Sequence, residues 1–232
     1  MMRLDKFLAE QSGLTRSQVG KTLRSGVVTV NGAVIKSGAT HISSADQILF
    51  DGELLQWLEA GQYLMLHKPA GYICSHDDGE YPTVYQLFDY PLRNKLHSVG
   101  RLDVDTTGLV LLTDDGQWSH RITSPKFQCE KTYLVTLADP IESNYQSAVE
   151  QGILLRGEQA PTKPAKLEIV DDYNLNLTIS EGRYHQVKRM FAALGNKVVG
   201  LHRWRIGAVM LDESLDEGEY RTLTAAEVVG FK

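Results

Sequence analysis

HSVGRLDVDTTGLVLLTDDG, residues 97–116, is the stretch on which the reading of this chain turns. Asp103 and Asp105 flank a single residue and run into Thr106-Thr107-Gly108. By residue type alone this is an Asx or Ser/Thr turn, because these short polar side chains bond to nearby backbone and start turns. Asp105 is assigned to that structural role, capping the turn with Thr106 and Thr107. Leu109–Leu112 then reads as an apolar strand.

Beyond this stretch, further strands are expected at Thr132–Leu137, Lys166–Val170, Leu175–Ile179 and Lys197–His202. Helices are expected at Trp118–Thr123, Glu142–Gln151, Arg183–Leu194 and Ala225–Val229. In the helix at 183–194, Val187, Met190, Phe191 and Leu194 form one apolar stripe. Upstream, an apolar strand begins at Tyr63-Leu64-Met65-Leu66 and is stopped by Lys68-Pro69. Strands outnumber helices and several follow one another directly. That pattern implies an α+β domain with a mixed, largely antiparallel sheet flanked by helices, and excludes a doubly wound parallel sheet.

The first part of the chain has a different pattern. Leu4, Phe7 and Leu8 mark a short amphipathic helix over 3–11. Thr15 and Gln18 make a capping box that opens a second helix to about Arg24. Val28–Val30, Asn31-Gly32 and Ala33–Ile35 read as a hairpin with a type I′ turn, and a strand near Ile48–Phe50 closes the unit. Glu59-Ala60-Gly61-Gln62 reads as a linker. The expected division is a small α/β module over 1–59 and a second domain over 60–232, which a chain of 232 residues accommodates.

Composition excludes several classes. The two cysteines, Cys74 and Cys129, make neither a disulfide framework nor a zinc site, and suit a reducing cytoplasm. The seven histidines are scattered without metal-ligand spacing, so no metal is expected. No apolar run is long enough to cross a membrane, and the N-terminus lacks a secretory pattern. The net charge of −5 argues against a generic polyanion binder. Its distribution argues otherwise. Residues 1–26 carry five basic and two acidic side chains, and residues 181–205 carry six and one. Residues 206–232 carry two basic and six acidic.

A DxDxT sequence is also the nucleophile loop of haloacid-dehalogenase-like phosphotransferases, but that loop follows a strongly apolar strand. Here the preceding residues are His97-Ser98-Val99-Gly100-Arg101, and the required strand–helix alternation is missing. Gly100–Leu109, GRLDVDTTGL, instead closely resembles the catalytic-aspartate motif of the RNA pseudouridine synthases. Glu130–Val135 resembles that family's tyrosine motif, and Ile179–Met190 its third motif, in the family's order. Met2–Ile35 is similar to the S4 RNA-binding domain found N-terminally in one branch. Within that branch, Asp114–Pro125 and the close of the third motif are most similar to enzymes that modify one uridine of 16S rRNA, although large-subunit (23S) enzymes share the same motifs. A non-catalytic RNA-binding assembly protein is the other reading, against which the intact tyrosine and third motifs speak.

The resemblance implies an S4-like module joined to a catalytic domain of the pseudouridine synthase fold. The implied activity is isomerisation of a uridine, by likeness uridine 516 of 16S rRNA, in free rRNA or a small-subunit assembly intermediate. The reaction breaks N1–C1′, turns the base and rejoins it through C5, so no cofactor is implied. Asp103 is the implied catalytic carboxylate. Attack on C1′, addition to C6 and abstraction of a sugar proton are all open to it. A carboxylate buried alone takes up a proton, so a cation is expected beside it; Lys188 aligns with the family's basic partner. The target base must leave its stack to be reached. Tyr133 is expected to stack on the extracted uracil and Ile179 to line its pocket, while Arg101 fills the vacated space or holds a phosphate. Arg183 and His185, opening the helix at 183–194, are expected phosphate contacts. Arg3, Lys6, Arg16, Lys21 and Arg24 are the expected RNA-binding set of the N-terminal module. Nothing demands an oligomer, and a monomer is expected.

Overall fold

The computed structural model describes residues 1–55, 57, 61–76, 79–89 and 92–231. They form two compact units, one of Met1–Gly61 with Tyr85–Leu96, the other of Gln62–Val84 with the chain from His97 onward. Glu59 and Ala60 of the expected linker lie outside the described residues.

The first unit contains β1 (Met2–Arg3), α1 (Leu4–Ser12), α2 (Arg16–Ser25), β2 (Val28–Val30), β3 (Ala33–Val34), β4 (His41–Ile42), β5 (Ile48–Phe50), β6 (Glu53–Leu55) and α3 (Leu92–Lys95). The capping box forms as its residue types demand. Thr15 Oγ1 accepts from the Gln18 amide at 3.3 Å, and the Thr15 amide donates to Gln18 Oε1 at 2.8 Å. The hairpin turn places Asn31 at φ 52° and Gly32 at φ 82°, both left-handed, as a type I′ turn requires. Leu4, Phe7 and Leu8 pack with Val19, Leu23, Val28, Ile42 and Ile48 in one core. Burying each such side chain contributes about 1.5–3 kcal/mol before chain entropy is subtracted.

The second unit is built on β7 (Tyr63–Lys68), β8 (His97–Ser98), β9 (Thr107–Thr113), α4 (Gly116–Thr123), β10 (Lys131–Leu137), α5 (Tyr145–Gln151), β11 (Lys166–Ile169), β12 (Asn174–Ile179), α6 (Gln186–Ala193), β13 (Val198–Ile206), β14 (Val209–Met210), β15 (Tyr220–Thr222) and α7 (Ala225–Val229). The main sheet runs β11-β12-β10-β13-β9-β7-β15, with β14 beside β13 and β8 beside β9. Its pairs are antiparallel except β9 with β13. The mixed, largely antiparallel sheet read from the sequence is therefore the one that forms. Leu109 and Leu111 on β9 join a core with Met65, Trp118, Ile122 and Ile206. Val110 and Leu112, which alternation sends to the opposite face, are fully buried too. Burial on both faces explains the unbroken apolar run LVLL.

The strand that begins at Tyr63 stops at Lys68, before Pro69, as read from the sequence, but the Lys68 side chain is fully buried. Several boundaries move. The helix expected from Glu142 begins at Tyr145, and the one expected from Arg183 begins at Gln186, after His185 in a left-handed conformation. The expected strand at 197–202 extends to Ile206.

The parallel contact of β9 with β13 pairs Thr107 with His202 and Gly108 with Arg203. Gly108 sits at φ 105°, and a Cβ there would collide with the Arg203 carbonyl oxygen. Thr107 Oγ1 and His202 Nδ1 lie 2.8 Å apart, and Arg203 Nε donates to the Leu109 carbonyl at 2.9 Å. Gly108→Ala is accordingly expected to destabilise the protein by about 2–4 kcal/mol, from a strained φ plus overpacking against backbone. Equilibrium urea unfolding of the two proteins measures it, and a change below about 0.5 kcal/mol, the level of an ordinary surface substitution, would contradict the close approach.

Candidate active site

The loop before β9 carries Asp103. Leu102 is buried beneath it, and the Thr106 amide donates to the Asp103 carbonyl at 3.1 Å, closing a turn. The segment Lys68–Gly71 holds this loop. The Lys68 ammonium donates to the carbonyls of Thr106 (2.7 Å), Val104 (3.4 Å) and Pro69 (2.9 Å), and the Gly71 amide donates to Val104 O at 2.7 Å. Burial pushes the Lys68 pKa down, while the negative charges around it, Asp105 and Asp103 among them, work the other way.

Helix α6 supplies the facing wall. Val187, Met190 and Phe191 turn into the core, and Tyr145 meets Phe191 at 5.9 Å between ring centroids. That rotation points Lys188 at the loop. Its Nζ lies 3.0 Å from Asp103 Oδ2 and 2.6 Å from Asp105 Oδ1. Burial works against the charge on Lys188, but hydrogen bonds and attraction from Asp105 and Asp103 outweigh it and the pKa rises. At Asp105 burial is likewise overcome, chiefly by the hydrogen bond from Lys188, and the pKa falls. The structure revises the part assigned to Asp105: its side chain reaches across to Lys188, and the turn closes through backbone instead.

His185 Nε2 lies 3.4 Å from Asp103 Oδ1. The residue precedes α6 without capping it through its side chain. Arg183 lies before the helix rather than in it. Its guanidinium donates to the carbonyls of Ala160 (2.8 Å) and Pro161 (2.6 Å) and meets Glu181 (3.4 Å) and Glu158 (3.7 Å), bracing two loops together.

Tyr133 on β10 is 9% exposed, and the Arg203 guanidinium carbon sits 6.0 Å from its ring centroid. Tyr133, Ile179, Arg101, Asp103, Arg183, His185 and Lys188 all line one pocket. The structure thus brings together every site residue expected in this domain. Arg101 is exposed and has no ion pair to any described residue. In the N-terminal unit Arg3 pairs with Asp5 (2.6 Å) and Lys6 with Glu10 (3.8 Å), while Arg16, Lys21 and Arg24 are exposed.

Sequence reasoning missed three cations here. Lys68 entered the sequence reading only as part of the Lys68-Pro69 stop. Lys131 donates to Cys129 O at 2.7 Å, and burial pushes its pKa down. Arg203 is 3% exposed with Nη2 unpartnered among the described residues. Lys131 and Arg203 line the pocket. The one available signal was placement: each lies in or beside an apolar strand, where a charge needs a reason.

Lys68→Met keeps the stem and deletes the ammonium, leaving buried carbonyls short of a donor. It is expected to cost roughly 1–3 kcal/mol of stability and to speed amide exchange at Thr106. Thermal unfolding and hydrogen exchange measure both; wild-type protection at Thr106 would show that the loop does not depend on Lys68.

Comparison with known proteins agrees with this geometry. Residues 62–193 match the family model described as RNA pseudouridylate synthase, and residues 2–48 match the S4 domain. The ribosomal small subunit pseudouridine synthase A of Haemophilus influenzae is 74% identical over 98% of each chain. The protein of that name in Escherichia coli K12 is 52% identical over 98% of each chain. A crystal structure of a pseudouridylate synthase, 71% identical, covers both chains completely with a TM-score of 0.73. The three motifs, the pocket that gathers them and relatives matched along the whole length agree, and the chain belongs to the RNA pseudouridylate synthase family.

Proposed function

We propose that this enzyme converts one uridine of small-subunit (16S) rRNA to pseudouridine, with Asp103 as the carboxylate acting at the sugar–base junction. The observation that carries the assignment is the Asp103–Lys188 contact of 3.0 Å in a pocket lined by Tyr133 and Ile179. Lys188 favours the ionised carboxylate. The extracted uracil stacks on Tyr133 against Ile179. Arg101, exposed at the pocket, is free to enter the gap the base leaves or to hold a phosphate. Isomerisation returns the uracil ring to the same sugar: N1–C1′ and C5–H break, C5–C1′ and N1–H form, and the C5 proton leaves to solvent, so no group donor is needed.

The choice of small-subunit rRNA rests on the names of the relatives, matched at 52–74% identity over nearly their full lengths. The division of labour is an RNA-binding S4-like module over 1–59 and a catalytic domain over 60–232. Arg16, Lys21 and Arg24 offer exposed charge to phosphates, with Arg3 and Lys6 able to exchange their acidic partners for RNA. The enzyme acts as a monomer in the cytoplasm, on 16S rRNA or a small-subunit assembly intermediate. No helix among the described residues is long and apolar enough to cross a membrane.

Asp103→Asn is expected to abolish tritium release from 5-tritiated uridine in 16S rRNA while RNA affinity, set by phosphate contacts, stays close to wild type. Persistent release would remove Asp103 from its role, and release from 23S but not 16S rRNA would reassign the substrate. Neutralising two of Arg16, Lys21 and Arg24 is expected to flatten the slope of log affinity against log salt by about 1.4–1.8. Turnover of fully bound RNA should hardly change. Normal affinity with lost turnover would contradict the division of labour.

A further inference from the structure

Tyr184 is 78% exposed, the largest exposure of any aromatic side chain among the described residues. Its ring is nevertheless not loose. It stacks on His185 with centroids 3.8 Å apart and planes 20° apart. His185 lines the pocket and lies 3.4 Å from Asp103. The backbone beneath is fixed. Arg189 Nη1 donates to the Tyr184 carbonyl at 3.0 Å, the Arg183 amide donates to Gln186 Oε1 at 2.8 Å, and Gln186 Nε2 donates to Glu181 Oε1 at 2.9 Å. His185 has φ 47° and ψ 36°, in the left-handed region that few residues other than glycine occupy. A broad aromatic ring kept in water by a cross-braced turn beside a reactive pocket calls for a ligand.

We propose that Tyr184, backed by His185, is a stacking platform for an RNA base neighbouring the target uridine. This rests on the function proposed above. When the uridine leaves its stack, its neighbour loses a stacking partner on one face. An aromatic face at the pocket replaces that partner, and it accepts any base because every base has a π-face. Tyr133 receives the uridine inside the pocket; Tyr184 receives the adjoining base outside it. His185 supports the platform at the edge of the pocket, 3.4 Å from Asp103, so the neighbouring base is bound next to the extracted uridine.

The test uses the full chain and a 16S rRNA fragment carrying 5-tritiated uridine, with 2-aminopurine placed on either side of the target in turn. In Tyr184→Ala, KM for RNA is expected to rise about tenfold, the effect of losing one base–aromatic stack. The turnover number should stay within about twofold, because the group does not touch the reacting atoms. Tyr184→Phe should restore wild-type KM, since the ring and not the hydroxyl is used. One of the two 2-aminopurine positions should be quenched on binding wild type and Tyr184→Phe, and not Tyr184→Ala. An unchanged KM in Tyr184→Ala, whatever its turnover number, would overturn the platform, as would failure of Tyr184→Phe to restore binding. If wild type releases no tritium from the 16S fragment, the substrate assignment fails; the platform is then judged by the ratio of wild-type to Tyr184→Ala affinity for the RNA that is turned over.

Discussion

The parallel contact between β9 and β13 sets where the catalytic domain's chemistry falls. In a sheet otherwise antiparallel, Gly108 lies so close to Arg203 that no side chain fits between them. The Asp103 loop ends where β9 begins, so its position is set by that seam. Arg203 lies on β13 opposite Tyr133 of β10, and its guanidinium reaches the Tyr133 ring. One close approach therefore places the carboxylate loop, the aromatic ring and a buried cation around one space. The bond from Arg203 Nε to the Leu109 carbonyl ties the seam from the side-chain level as well.

The charges around that space differ in kind. Lys188 is partly open and divides itself between Asp103 and Asp105, a pair of contacts that raises its own pKa despite burial. Lys68 is closed off, and its donors go to backbone carbonyls, which makes it a clamp on the loop's shape. A lysine suits both positions because a compact ammonium with three donors bridges acceptors at different angles, where a planar guanidinium fixes one geometry. The net charge of −5 is compatible with RNA chemistry for the same reason. The positive charge is held locally, at the pocket and on α2, and the chain lacks the overall basic excess that drives indiscriminate binding.

Much of this was legible in the sequence because it is local. The Thr15–Gln18 capping box, the Asn31-Gly32 turn and the amphipathic stripe of α6 are short-range patterns, and each formed. The family motifs named Asp103, Tyr133, Ile179 and Lys188, and the fold gathers them. Errors fell where an element's end depends on something remote. Helix α6 starts three residues late because Arg183 is held by Ala160 and Pro161, and Gln186 by Glu181.

Periodicity, turn chemistry and motif order reside in neighbouring residues, so the class of the sheet, the short elements and the residue types that carry the chemistry are readable along the chain. That Asp105 shares Lys188, that Lys68 is buried under the catalytic loop, that Gly108 must be a glycine and that Tyr184 rests on His185 beside the pocket emerge on folding. Each of the first three depends on a distance between segments far apart in the chain, and packing, not local preference, sets such distances. The fourth joins neighbours, but their stacking needs a left-handed turn that local preference disfavours and the bonds from Arg189 and Gln186 hold in place.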